Sequence, residues 1–210
     1  MSNLYFVYTV NMNESLKNAV IDSDAAKEDI LMQNPDRPAP GHILNSQDIL
    51  EVQYYGFDGA LHRGQIVMHK DVARDVEVFF KTALAMGFPL SKVIPISDKK
   101  YAWDDVVSCN DNNSSGYNYR LIMGTDRMSK HASGLAFDIN PVQNIYVRYD
   151  ENMREIFRLP KEGVYDKDAA GTLTGDHPLV TLMKGLGWDW GGDWKPQSGR
   201  IDYQHFEKTI

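Results

Sequence analysis

Between Ile49 and Gly87 the hydrophobic period of the chain changes from two residues to about 3.6, and this switch restricts the fold more than any other feature. Leu50, Val52 and Tyr54 alternate with other residues through Ile49–Gly56, the pattern of a strand. Phe57-Asp58-Gly59 supplies a turn, and Gly64–His69 (GQIVMH) reads as the returning strand. Asp71 then opens an amphipathic helix in which Val72, Val76, Phe79, Phe80, Ala83 and Met86 recur at helical spacing. Gly87 and Pro89 end it. This helix is scaffold rather than chemistry.

The rest of the chain extends the same theme. Ser91–Ile96 is expected as a further strand and Tyr119–Met123 as a short one, whereas Asp104–Gly116 is dominated by turn formers and reads as a loop. Asp176–Leu186 is expected as a second helix. Asp176 or His177 sits at its cap and Pro178 in its first turn; Leu179, Leu182, Met183 and Leu186 share one face, and Gly187 closes it. Short strands with segregated helices predict an α+β fold, a central, mainly antiparallel sheet flanked by helices. Residues 1–45 are expected as an N-terminal arm: a possible first strand, a polar helical stretch, and the rigid connection Asn34–Gly41 with its three prolines. Residues 46–210 form the compact domain.

Composition narrows the function. A chain of 210 residues buries a substantial core without cross-links, and its one cysteine, Cys109, excludes an intramolecular disulfide. A net charge of −7 and the lack of any Lys/Arg run count against a nucleic-acid partner. No apolar stretch approaches the roughly 18 residues of a membrane span. Leu4–Val10 (LYFVYTV) is apolar but short; it lacks a basic flank and a small-residue cleavage site, and is not read as a signal peptide.

The chemistry concentrates in Ser129–Pro141 (SKHASGLAFDINP). Leu135, Phe137 and Ile139 alternate with Ala136 and Asp138, so a strand here sends three large side chains to the core and Asp138 to the opposite face. Gly134 permits a tight bend that folds His131 back toward Asp138, and a histidine and a carboxylate converging in this way are natural zinc ligands. A catalytic zinc takes three protein ligands and keeps one position open, so a third ligand is needed from elsewhere. His205 is the best candidate, because Asp202-Tyr203-Gln204-His205 pairs it with a nearby carboxylate. Asp202 is assigned as the base that takes a proton from water and passes it to the leaving amine. On a flat strand Asp202 and His205 would face opposite sides, so a bulge, twist or turn must lie between them.

These residues resemble the zinc D-alanyl-D-alanine carboxypeptidase family, which includes the carboxypeptidases and dipeptidases of vancomycin resistance and the phage L-alanyl-D-glutamate peptidases. The resemblance is carried by S-x-H-x-x-G-x-A-x-D and a distant D-x-x-H-F-E, and runs from about Val52 to Glu207. It takes in Y-Y-G-F-D-G, the helix ending in F-P, N-N-S-S-G-Y-N-Y-R and G-W-D-W-G-G-D-W. It implies a hedgehog/DD-peptidase-like fold with one zinc on His131, Asp138 and His205, and Asp202 as general base. It also implies that Arg120 contacts the substrate carbonyl or carboxylate and that Ser129 lies in the binding pocket. The implied substrate is a peptidoglycan stem peptide or another D-Ala-D-Ala-terminated peptide, with the internal L-Ala-D-Glu bond as second choice. Such a substrate places the site of action outside the cytoplasm, in periplasm or cell wall, or after release by phage lysis. A fixed guanidinium suits Arg120's role, since it can clasp a carboxylate or stabilise an oxyanion.

Other readings stand beside these. Asp202 could orient a ligand histidine instead, and Glu207, on the same strand face as His205, is the second candidate base. Arg120 could be a structural ion pair. Trp188, Trp190 and Trp194 offer either a substrate wall, with Trp190 the residue assigned to binding, or packing around a glycine-rich turn. His42 and His62 in loop-like contexts, His69 before a helix, and His177 at a helix start are expected to be bystanders. Cys109 lacks an activating context, and Gly191-Gly192 lacks the strand–glycine–helix order of a phosphate loop. A zinc-bearing binding module without turnover, and a peptidase of non-cell-wall peptides, are the competing functions.

Overall fold

The computed structural model describes residues 18–210. In chain order these form β1 (Val20–Ile21), α1 (Lys27–Ile30), α2 (Gly41–Asn45), β2 (Gln47–Tyr55), β3 (Leu61–His69), α3 (Ala73–Met86), β4 (Lys92–Val93), α4 (Asp105–Asn110) and β5 (Asn113–Ser114). There follow β6 (Ala136–Asp138), β7 (Tyr146–Tyr149), β8 (Glu155–Leu159), α5 (Pro178–Gly185), β9 (Asp189–Trp190), β10 (Arg200–Asp202) and β11 (His205–Glu207). Helices and strands are mixed, and the strands form three three-stranded sheets and one two-stranded sheet instead of one central sheet. Antiparallel pairing dominates all the same: among the described strands only β1/β3 and β4/β5 run parallel.

The period switch produces the expected hairpin and helix. β2 and β3 pair in unbroken register from Gln47↔His69 to Tyr55↔Leu61. Helix α3 buries Val76, Phe79, Phe80 and Ala83 and closes on Gly87, whose φ of 67° suits a residue without a Cβ. Met86 departs from the expected apolar face: in the last turn it is 46% exposed.

Phe79 of α3 ties this scaffold to the strands of the site. Phe79 meets Phe137 of β6 and Phe206 of β11 edge-on, at centroid distances of 5.3 and 5.8 Å. Phe137 and Phe206 are register partners, as are Asp138 and His205. Directly opposed residues share a face, so the β6/β11 pair turns its phenylalanines to α3 and its Asp138 and His205 away.

Several local expectations need correction. Asp104–Gly116 is not one loop: Asp104 caps α4, its carboxylate accepting from the Val106 and Val107 amides, and β5 follows. The same Asp that reads as a turn former is a strong N-cap, and Ser108 and Cys109 supply the buried side of that short helix. The strand expected over Ser91–Ile96 shrinks to β4, between Pro89 and Pro95, and Tyr119–Met123 contributes only the isolated bridge Leu121↔Met128. His42 lies in α2, and His62 is a buried β3 residue, not a loop residue. Its ring nitrogens face Asp22 at 2.8 Å and Asp58 at 3.1 Å. α5 starts as expected, with His177 Nδ1 accepting the Leu179 amide.

Of the N-terminal arm, Leu4–Val10 and the first part of the polar stretch lie outside the described residues. Within them, β1 adds to the hairpin beside β3, α1 is a single turn, and Gln33 clasps Ala39 through both its side-chain groups across the proline-rich connection.

Candidate metal centre

Each of the three site side chains is fixed by a different local device. His131 lies in a 3-10 turn, Lys130–Ser133, begun by Ser129, whose hydroxyl accepts the His131 amide at 3.3 Å. Gly134 ends the turn with φ of 69°, and a Cβ there would come within 2.0 Å of the Gln47 side chain. The bend expected from that glycine is therefore present, and a close approach adds to the backbone requirement. Asp138 comes from β6 and His205 opposes it across the ladder to β11.

These three converge. His131 Nε2 lies 3.2 Å from Asp138 Oδ2, His205 Nδ1 lies 3.0 Å from Asp138 Oδ1, and the two facing ring nitrogens are 3.2 Å apart. Among the described residues they are a group of metal-ligating side chains whose donor atoms all lie within 4.8 Å of one another. Tetrahedral zinc with bonds near 2.0–2.1 Å requires donor separations of roughly 3.3 Å. The triad fits that spacing. All three are buried.

The outward nitrogens settle which atoms face inward. His131 Nδ1 lies 2.6 Å from the Gly116 carbonyl, which only accepts, so Nδ1 carries the hydrogen and Nε2 turns its lone pair to the site. His205 Nε2 donates likewise to Glu207 Oε2 at 3.0 Å, leaving Nδ1 inward. Burial alone would raise the Asp138 carboxyl; the charge and hydrogen bonds of the two histidines overcome it and hold Asp138 well below the usual carboxylate range. Burial would likewise lower His205, but hydrogen bonds to Asp138 and Glu207 push it up to about 10.

The triad opens into a cavity of about 280 Å³. Asp202, at the end of β10, lines it and is separated from His205 by the Tyr203–Gln204 turn, so the two residues belong to strands of different sheets. That turn removes the conflict of faces that a continuous strand would impose. Asp202 Oδ1 is buried without a hydrogen-bond partner. Burial pushes the carboxyl up to about 7, opposed by the positive charges of His205, Arg120 and Arg200 and assisted by the negative charge of Asp138.

Arg120 and Ser129 line the same cavity. Arg120 Nη2 pairs with Asp105 Oδ2 at 2.9 Å, and its Nε is buried without a partner. Nothing local in the sequence ties Asp105 to Arg120, and only the fold pairs them. Trp190, the residue assigned to binding, is only 3% exposed: it packs in the main core and donates its indole N–H to the Tyr203 carbonyl at 2.8 Å. Trp194 reaches the cavity in its place. Cys109 is buried, and that burial pushes its thiol well up, away from the thiolate form that nucleophilic attack needs.

Residues 123–208 match the family model for D-alanyl-D-alanine carboxypeptidase. The matched stretch holds the whole triad with Ser129, Asp202 and Glu207, and bears out the resemblance there; Arg120 and the hairpin lie before it. No curated protein and no solved structure gives a comparable match. No helix among the described residues is long and apolar enough to cross a membrane.

Proposed function

We propose that the protein is a zinc peptidase of bacterial peptidoglycan stem peptides, with a terminal D-Ala-D-Ala bond as the first substrate and the internal L-Ala-D-Glu bond as the second. The observation that carries this reading is the convergence of His131 Nε2, Asp138 and His205 Nδ1, each imidazole steered inward by an acceptor on its far side. The family match supports the choice of substrate. We assign His131, Asp138 and His205 as the zinc ligands, residues 46–210 as a hedgehog/DD-peptidase-like catalytic domain, and residues 1–45 as an arm. Such a substrate sets the site of action outside the cytoplasm.

Bound zinc supplies Lewis-acid polarisation of the scissile carbonyl and lowers the pKa of water. Asp202 is then the group that accepts a proton from the attacking water. It delivers that proton to the amine nitrogen as the new C–O bond forms and the C–N bond breaks. Its raised proton affinity suits a group that must take a proton near neutrality and give it up again. Arg120, held in orientation by Asp105, places positive charge where the carbonyl oxygen becomes negative. Ser129 offers its hydroxyl at the cavity wall.

Incubating the zinc-loaded protein with a defined pentapeptide muropeptide and weighing the products tests the reading. Loss of D-Ala supports the first substrate and loss of the L-Ala side the second. Release of neither overturns the assignment to cell-wall peptides.

A further inference from the structure

Three arginines line the cavity, Arg120, the exposed Arg127 and Arg200, and among the described residues Arg120 alone of them is ion-paired. Arg120 is bound to Asp105 at 2.9 Å. Arg200, at the start of β10, lines the same cavity, yet its guanidinium makes no ion pair and no side-chain hydrogen bond among the described residues. It is not loose, because its Cζ lies 4.5 Å from the Trp194 ring centroid. Trp194 in turn leans on His205, ring centroids 5.5 Å apart. An indole bracketed between a triad histidine and an arginine holds that guanidinium at a set position beside the triad, with its donor fork free. Arg200 and Asp202 are also two apart on one strand, so their side chains share a face about 6.5 Å apart along it. A peptide whose scissile bond lies at Asp202 therefore brings its next backbone groups to Arg200.

Resting on the peptidase reading above, we infer that Arg200, braced by Trp194, receives a carboxylate of the substrate within one residue of the scissile bond. Arg120, oriented by Asp105 through one of its nitrogens, is left to the scissile carbonyl. Asp202 and Glu207 feel the charge of Arg200, but neither is hydrogen-bonded to it, and Glu207 is engaged by His205. The fork is thus available for an incoming anion. Its carboxylate could be the C-terminus of D-Ala-D-Ala or the α-carboxylate of D-Glu, and both present the same planar acceptor pair.

The test is calorimetric binding to the metal-free protein, which separates recognition from turnover. The ligands are N-acetylated D-Ala-D-Ala and L-Ala-D-Glu peptides, each as free acid and as the corresponding amide. Wild type is expected to bind one acid about ten- to a hundredfold more tightly than its amide, the range of a charge-assisted pair, and which acid does so identifies the source of the carboxylate. Arg200→Ala brings that ratio close to one, Arg200→Lys keeps part of it because charge remains without the fork, and Arg120→Ala leaves it unchanged. An acid preference that survives Arg200→Ala, or one abolished by Arg120→Ala, overturns the inference. Peptides bound with the expected preference but never cleaved by the zinc-loaded protein would instead count against the peptidase reading and leave Arg200 in its role.

Discussion

Replacing Glu207 with glutamine removes one charge from the far side of a proposed zinc ligand while keeping a hydrogen-bond acceptor of the same length. His205 Nε2 lies 3.0 Å from Glu207 Oε2, and His205 Nδ1 is the atom that faces Asp138 and His131. The carboxylate thus polarises the ring along the line that ends at the donor atom, which raises the basicity of Nδ1 and fixes its tautomer. Loss of such an outer partner weakens metal binding by about ten- to a hundredfold, or about 1.4–2.7 kcal/mol. Glu207→Gln should fall near the low end, because the amide oxygen still accepts the Nε2 hydrogen; Glu207→Ala should fall near the high end, since ring orientation is lost as well. Competition titration of zinc against a chromophoric chelator measures both, with circular dichroism to confirm the fold. Affinities within a factor of about two of wild type would refute the argument, and would return Glu207 to its alternative place as a base.

Four further outcomes follow from the geometry. Asp202→Asn should retain zinc, because Asp202 is outside the converging triad, while hydrolysis drops by about 10²–10⁴; unchanged turnover would take Asp202 out of the mechanism. His205 lies above its ordinary value, so metal-free protein holds a proton there that zinc must displace. Zinc affinity should rise with pH from about 6 to 9, near tenfold per unit for each proton released, and a flat profile in titration calorimetry would contradict this. By the same sign, the contribution of that proton to metal-free stability is full below about 6.5 and lost as pH rises toward about 10. Phe79→Ala removes the buried ring that touches both Phe137 and Phe206 and should cost about 3–5 kcal/mol in denaturant unfolding, with a loss under about 1 kcal/mol arguing against the packing described.

Much of the site was legible because its determinants are local. Alternation through Leu135–Ile139 separates Asp138 from the phenylalanine beside it whatever the rest of the chain does, and Gly134 marks the bend that returns His131. The hairpin and α3 were legible for the same reason, since period alone distinguishes a strand from a helix. Capping is less readable: Asp104 initiates α4, but the same residue type in a run of Asn and Ser looks like a turn. Trp190 and Trp194 have equivalent sequence contexts, four residues apart in one glycine-rich stretch, and nothing local says which of them meets the core.

The chain by itself indicated that His131 would be bent back toward Asp138 on the polar face of a strand, because side-chain alternation and a glycine bend are short-range properties. Tertiary structure decided the partners. The pairing of β11 with β6 brings His205 to Asp138 across 67 residues of sequence, and a two-residue turn lets Asp202 and His205 line one cavity from different sheets. The same packing gives Arg120 to Asp105 and leaves Arg200 free against Trp194. Register and ion pairing depend on which surfaces meet, and that is settled only when the phenylalanine faces of β6, β11 and α3 close on one another.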